Sequence, residues 1–155
     1  MKTLGNILWH FPFLGFVNAL LTFLLGGLLV ITVVGAPIGL GLIQLSKFLL
    51  APFSSSMVDK KDLNIDQNKL WKSFGFIIRI LYFPFGLILV VFTIMEIAGL
   101  FVSIVGIPVA IVLAKSVSTF FNPVNKKCVP VAVAVADELQ KQKAQNQINK
   151  HLAKN

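Results

Sequence analysis

Residues 3–46 run TLGNILWHFPFLGFVNALLTFLLGGLLVITVVGAPIGLGLIQLS without a single Asp, Glu, Lys or Arg. A hydrocarbon core about 30 Å thick takes about 20 apolar residues per crossing helix. The run is twice that long, and a chain of 155 residues offers no soluble core large enough to hide it. The whole composition agrees. Hydrophobic residues make up 56% and charged residues 13%, whereas a soluble domain carries roughly 25% charged residues. Mean hydropathy is +0.84. Inside a bilayer the backbone must bond to itself, so the spans are expected to be helices.

Proline and glycine divide this run, and then divide the rest of the chain in the same order. Phe11-Pro12-Phe13 returns as Phe83-Pro84-Phe85, 72 residues on. Val34-Gly35-Ala36-Pro37 returns as Val105-Gly106-Ile107-Pro108, and Ala51-Pro52 as Asn122-Pro123, both at 71. One single-residue gap reconciles the three, which is the mark of an internal repeat. Proline ends helices because it lacks an N–H and disfavours helix at the residue before it. Gly35 and Gly106 suit a left-handed helix end, and Pro37 and Pro108 suit the first turn of the helix that follows. The expected elements are a lead helix over 4–11, spans over 13–34 and 37–52, a second lead helix over 71–82, and spans over 84–104 and 108–122. A straight helix over 4–34 would be about 46 Å long, too long for the core, so a break at Pro12 is expected. The lead helices would then lie in the interface, with Trp9, Trp71 and Tyr82 in an aromatic belt. The second span of each pair is short. It either crosses a thin region or re-enters.

The expected fold is therefore an all-α integral membrane protein. It has two tandem, parallel helical hairpins with four membrane helices, interfacial lead helices, a polar linker and a helical C-terminal tail. The units are residues 1–53 and 74–123 for the hairpins, 54–73 for the linker and 124–155 for the tail. The turns, residues 33–39 and 103–109, carry no charge, and the lysine-rich segments share the other face. By the positive-inside rule that face is cytoplasmic, with both termini on it. Lys2 and the first apolar run fit a signal peptide weakly. The run is too long for that, so the segment is expected to be retained.

The net charge of +8 sits mostly in the linker, the tail and Lys2. A basic chain can bind nucleic acid, but no basic stripe with interleaved aromatics is present, and orientation in the membrane accounts for the excess. Cys128 is alone, which excludes an intrachain disulfide and a thiolate cluster. His10 and His151 have no ligand-spaced partner, so no metal site is expected. No nucleophile, base and orienting group come together in the pattern, and no phosphate-cradling loop follows a strand. The chain is expected to be no enzyme and to need no cofactor.

Glu96 and Lys115 stand out because an ionisable group in an apolar span costs roughly 2.5–3.5 kcal/mol on insertion scales. Their positions are symmetric about the Val105-Gly106 turn, so an antiparallel pair would hold them at one depth. Three readings follow: a salt bridge locking the hairpin, an ion or proton site on a central path, or Lys115 reaching the interface with Glu96 alone. At the 71-residue offset the first half has Leu25 and Gln44 instead. Asn18, Thr22 and Gln44 give that half a thin polar seam, read first as interhelical hydrogen bonding. Gly35, Gly39 and Ala51 with Gly41 and Leu45, like Gly26 and Gly27, suit close helix approach.

The tail opens on Val129, Val131, Val133 and Val135, a strand period, although Pro130 argues against a central strand. A small ribbon with Met57-Val58 or with Leu63 and Ile65 of the linker is one outcome. Beyond Asp137 the residues are good helix formers, with a thin apolar face at Leu139, Ile148 and Leu152. It is either a solvated helix or a partner- or lipid-binding one.

Leu4-Gly5-Asn6-Ile7-Leu8-Trp9, the Val-Gly-x-Pro turn in both halves, the Lys47 to Pro52-Phe53 exit and Lys126-Lys127 after Pro123 together resemble the YccF family of bacterial inner-membrane proteins. The resemblance covers residues 1–136. It departs at Phe76-Ile77-Ile78-Arg79, where an Asn-Ile-x-Trp start would stand, and at Ala36, where Ile is usual. It implies an inner-membrane location and a duplicated domain, and no catalytic residues. The function expected is a homo-oligomer forming or supporting a small-ion or solute pathway. The alternative is a scaffold whose linker and tail, through 137–155, dock a cytoplasmic partner or anionic lipid.

Overall fold

The computed structural model describes residues 2–152 except 12, 64, 66 and 67, with the backbone alone at 151 and 152. The chain runs α1 (Lys2–His10), α2 (Gly15–Ile31), α3 (Ala36–Leu50), β1 (Ser55–Asp59), α4 (Lys69–Val102), a 3-10 turn (Ile104–Gly106), α5 (Ile107–Phe121), β2 (Lys126–Pro130) and α6 (Val131–Leu152). The fold is mostly helical. By length and composition, α4 and the segment Ile104–Phe121 are able to cross a membrane, and α1 with α2 makes a third crossing if the bent pair is one span. The apolar α3 is shorter, with 15 residues.

In each half a long outer helix packs on a short inner one, α2 on α3 and α4 on α5. The outer helices leave large apolar side chains uncovered, among them Leu20, Leu24 and Leu28 on α2 and Phe85, Phe92 and Met95 on α4. Apolar faces on this scale have no place in water. The inner helices bury more of theirs. Leu45 and Phe48 of α3, Val112 of α5, Trp9 of α1 and Met57 of β1 form one cluster, so the core lies where the inner helices end.

The outer-to-inner packing in the first half is backbone on backbone. A side chain on Gly26 would press on the Gly39 carbonyl, and one on Gly39 would press on that of Gly26. Gly27, on the open side, has nothing within 4 Å, so its expected packing role is not seen.

Three expectations change on contact with the structure. Pro84 does not end a helix: α4 runs through it without interruption for 34 residues, about 51 Å. Separate elements at 71–82 and 84–104 are thus one. The first half does bend, with 77° between α1 and α2; Pro12 lies outside the described residues. Second, Gly35 and Gly106 are not left-handed. Their φ angles are −77° and −76°, and Val33 takes the positive φ of 61° at the first turn. The glycines are needed for space instead. A side chain on Gly35 would meet the Leu29 carbonyl oxygen at 2.9 Å and one on Gly106 the Leu100 carbonyl oxygen at 2.6 Å. Third, the alternating valines after Pro130 are helical, because Val131 opens α6. The ribbon itself exists. β1 pairs antiparallel with β2, Met57 opposite Cys128 and Asp59 opposite Lys126. Met57-Val58 is in it, and Leu63 and Ile65 are not.

Candidate functional site: the junction at the exit of α3

The last carbonyls of a helix have no partner within it. Those of α3 are met by side chains from α1. The Trp9 indole N–H donates to Leu49 O at 2.8 Å. His10 Nε2 lies 2.7 Å from Leu50 O and must be the donor, since a carbonyl only accepts. Asn6 works both ways: its Oδ1 accepts from the Phe53 N–H at 3.1 Å, and its Nδ2 donates to Ser54 Oγ at 3.0 Å. Asn6, Trp9 and His10 fall at i, i+3 and i+4, one face of a helix. Gly5 leaves room for the Phe53 ring and Gly15 for the Trp9 indole.

Lys115 enters the same junction from α5. Its ammonium donates to Pro52 O at 2.8 Å and lies 5.7 Å from the Phe53 ring centroid. A cation at the carbonyl end of α3 is favoured by the helix dipole and by the ring face. Lys115 is therefore not paired with Glu96, and among the described residues no salt bridge includes Glu96. Equal distance from a turn sets equal depth; the face each side chain takes is set by packing. Glu96 is exposed on the outer helix, while α5 turns Lys115 toward the first half.

The polar seam is likewise dispersed. The Thr22 hydroxyl donates to Asn18 O within its own helix at 2.7 Å. Gln44 Oε1 instead accepts from the Cys128 N–H of β2 at 3.2 Å, tying α3 to the ribbon. Burial pushes the Cys128 thiol above its usual range, against smaller lowering effects of a Ser55 hydrogen bond and the Lys47 charge. Pro37 and Pro108 stand in the first turns of α3 and α5 as the spacing implied.

The halves meet here as well. Gly41 lets α3 lie directly on the Pro123 backbone, where a side chain would collide with the carbonyl oxygen. Lys126, 8% exposed, pairs across the ribbon with Asp59 at 3.3 Å. The Asn6–Trp9–His10 set escaped the sequence reading, which placed Trp9 in an aromatic belt and treated His10 as incidental. Trp9 is in fact 3% exposed. The i, i+3, i+4 spacing of three donors ahead of a helix with open carbonyls was the available signal.

A lead helix, a Gly/Pro turn, a short inner helix and a clamped Pro52-Phe53 exit thus form one continuous unit up to the start of β1. Residues 4–55 match the family model YccF, inner membrane component domain. No curated protein and no solved structure matches the chain. The YccF match ends at the first residue of β1, so it takes in all the α1 donors and the exit they hold. The match to this inner-membrane domain and the apolar outer helices support a membrane location.

Proposed function

We propose that the protein is a non-enzymatic, homo-oligomeric component of the bacterial inner membrane whose copies meet over the Glu96 face of α4, beside which small ions or solutes pass. The observation that carries this reading is Glu96 itself. It is exposed, outside every ion pair of the described residues, and flanked by the exposed Phe92 and Met95. It lies six residues from the end of α4, about 9 Å into the apolar region. A carboxylate facing lipid there is costly, and a neighbouring copy or a water-filled path removes the cost. Gly99, next on that face, has nothing within 4 Å of a built side chain, which suits close approach of a second helix.

The same reading includes a duplicated domain with four membrane helices and both termini in the cytoplasm. Several paired bonds support the duplication. Trp9 donates to Leu49 O and Tyr82 to Phe120 O; the acceptors correspond at 71 residues, although Tyr82 stands at the place of His10 rather than of Trp9. Thr32 N donates to Leu29 O and Ser103 N to Leu100 O, again at that offset. The inner helices, about 22 Å long, would span the bilayer only where it is thin. The test is Glu96→Gln in reconstituted vesicles, with the oligomer followed by native mass. Altered ion flux from an intact oligomer supports the reading. Unchanged flux removes Glu96 from it, and a monomer in nanodiscs removes the shared path.

A second reading, an accessory protein docking a cytoplasmic partner through 137–155, draws on the tail. Lys141 bridges Asp62 and Asp137 at 2.8 Å each, which ties α6 to the linker, and Leu139 and Ile148 stay exposed. Deleting 137–155 should then abolish partner capture and spare the membrane part.

A further inference from the structure

Beside the ribbon, away from the α3 exit, a cavity of about 320 Å³ opens between the first turns of α4 and the chain leaving α5. Lys72, Gly75, Phe76 and Arg79 line it from α4, Asp59 and Lys61 from the β1 end, and Asn122, Val124 and Asn125 from the other side. The α4 positions fall at i, i+3, i+4 and i+7, a single helix face. Three cations therefore surround one carboxylate, and that carboxylate is already engaged by Lys126. The opposite wall holds Asn122, 7% exposed, whose side-chain Oδ1 is buried and has no hydrogen-bond partner. An orphaned buried amide is costly unless something fills its valence. Turned over, the same amide presents N–H groups to an anion.

The position of the cavity narrows the ligand. It lies just past Phe121, where α5 ends and the chain turns polar. The exposed Phe76, Ile77 and Ile80 carry the apolar surface of α4 up to its rim. A ligand held here has its charge among lysines and arginine and its apolar part along α4. We propose that this cavity binds the headgroup phosphate of an anionic phospholipid. Lys61, Lys72 and Arg79 hold the phosphate oxygens, Asn122 donates to the headgroup, and the acyl chains lie along Phe76 and Ile80. Arg79, with its planar fork, is the member suited to bidentate phosphate contact. The inference rests on the membrane location alone, and is independent of any role for Glu96.

The test uses full-length protein in a non-ionic detergent, with native mass spectrometry after addition of phosphatidylglycerol or phosphatidylcholine of identical chains. The expected result is selective retention of phosphatidylglycerol, with Lys72→Gln/Arg79→Gln reducing that selectivity roughly tenfold. Lys143→Gln/Lys150→Gln, which removes equal charge from the tail, should keep it, as should Lys72→Arg/Arg79→Lys, which preserves the charges. Equal retention of both lipids by the unmodified protein overturns the proposal. So does loss of selectivity in the tail variant, or its survival in Lys72→Gln/Arg79→Gln. Displacement of the lipid by an equal concentration of inorganic phosphate overturns the lipid as the source and leaves a soluble-phosphate site. Lys72, Arg79, Lys143 and Lys150 are all exposed, so their replacement leaves the fold in place, verified by unchanged tryptophan fluorescence.

Discussion

The two halves share the tripeptide Phe-Pro-Phe, yet in one half it falls between two diverging helices and in the other inside a single helix. α1 and α2 diverge by 77°, while α4 carries Pro84 in its interior. The difference lies in what waits for the lead segment. α1 brings Asn6, Trp9 and His10 to the open carbonyls and loop of the α3 exit. At the 72-residue offset α4 has Ile78, Leu81 and Tyr82. The Tyr82 hydroxyl alone keeps a bond to the neighbouring inner helix, at Phe120 O. With one anchor in place of four bonds, nothing draws the segment off the helix axis. Proline weakens a helix by about 3 kcal/mol, and whether the helix then bends depends on the tertiary partners on offer.

The largest expected effect tests whether the halves depend on each other. Gly41→Leu drives a side chain into the Pro123 backbone, where neither side can yield, and should cost about 3 kcal/mol or more. Gly15→Ala, against the Trp9 indole, should follow within the first half. Gly27→Ala meets nothing within 4 Å and should be neutral or stabilising by up to about 1 kcal/mol, whereas Gly99→Ala meets nothing within one copy and should cost stability only where a second helix packs on it. Thermal unfolding in detergent ranks the four. A tolerated Gly41→Leu would mean that the halves are not in contact there.

The next effect separates the two anchors. Trp9→Phe keeps an aromatic side chain, though a smaller one, and leaves the Leu49 carbonyl without its donor at a buried position, for about 1–3 kcal/mol from the lost bond alone. Tyr82→Phe removes one partly buried bond, for about 0.5–1.5 kcal/mol. Site-directed spin labels on α1 and α2 should show the bend relaxing in Trp9→Phe, and labels along α4 should show no change in Tyr82→Phe. Equal costs and equal changes would break the comparison.

Much of this was legible in the chain, for reasons that also explain the rest. Charge-free length and the Gly/Pro punctuation located α1, α2, α3, α5 and both turns, because those signals are local, while Pro84 divided α4 on paper and not in the structure. The ribbon showed through Met57-Val58, but its partner strand ends at Pro130, since Val-Ala alternation satisfies a helix as well as a strand. The junction was hidden because Asn6, Trp9 and His10 act on residues 40 or more positions away. The Glu96–Lys115 pairing failed for the complementary reason: counting from a turn gives depth and says nothing of helix rotation.

A double-mutant cycle addresses that last point. Lys115→Met should cost about 1 kcal/mol, as a charged hydrogen bond discounted for partial exposure, through loss of the Pro52 contact. Because Glu96 is not its partner, the coupling with Glu96→Gln should stay within about 0.5 kcal/mol. A larger coupling would restore the salt bridge.

The smallest expected effect lies outside the membrane, where the second half reaches back to the linker. Hydrogen bonds to Asp137 and then Asp62 hold Lys141 above the usual lysine range. A raised value in the folded state means that the contact stabilises the protein while lysine is charged with the chain folded or unfolded. That contribution is complete below the ordinary lysine value and is lost as pH rises through the folded one. Lys141 is an exposed residue, so salt should weaken the contact too. A spin label at Asn146→Cys in a Cys128→Ser background reads the tail. Its mobility should rise between about pH 9 and pH 12, which bracket the ordinary lysine value of about 10.4. In Lys141→Gln the label should be mobile at both ends of that range. Equal pH dependence in both proteins would mean that other groups hold α6 to the ribbon, leaving the tie between the halves to Gly41 and the Asp59–Lys126 pair.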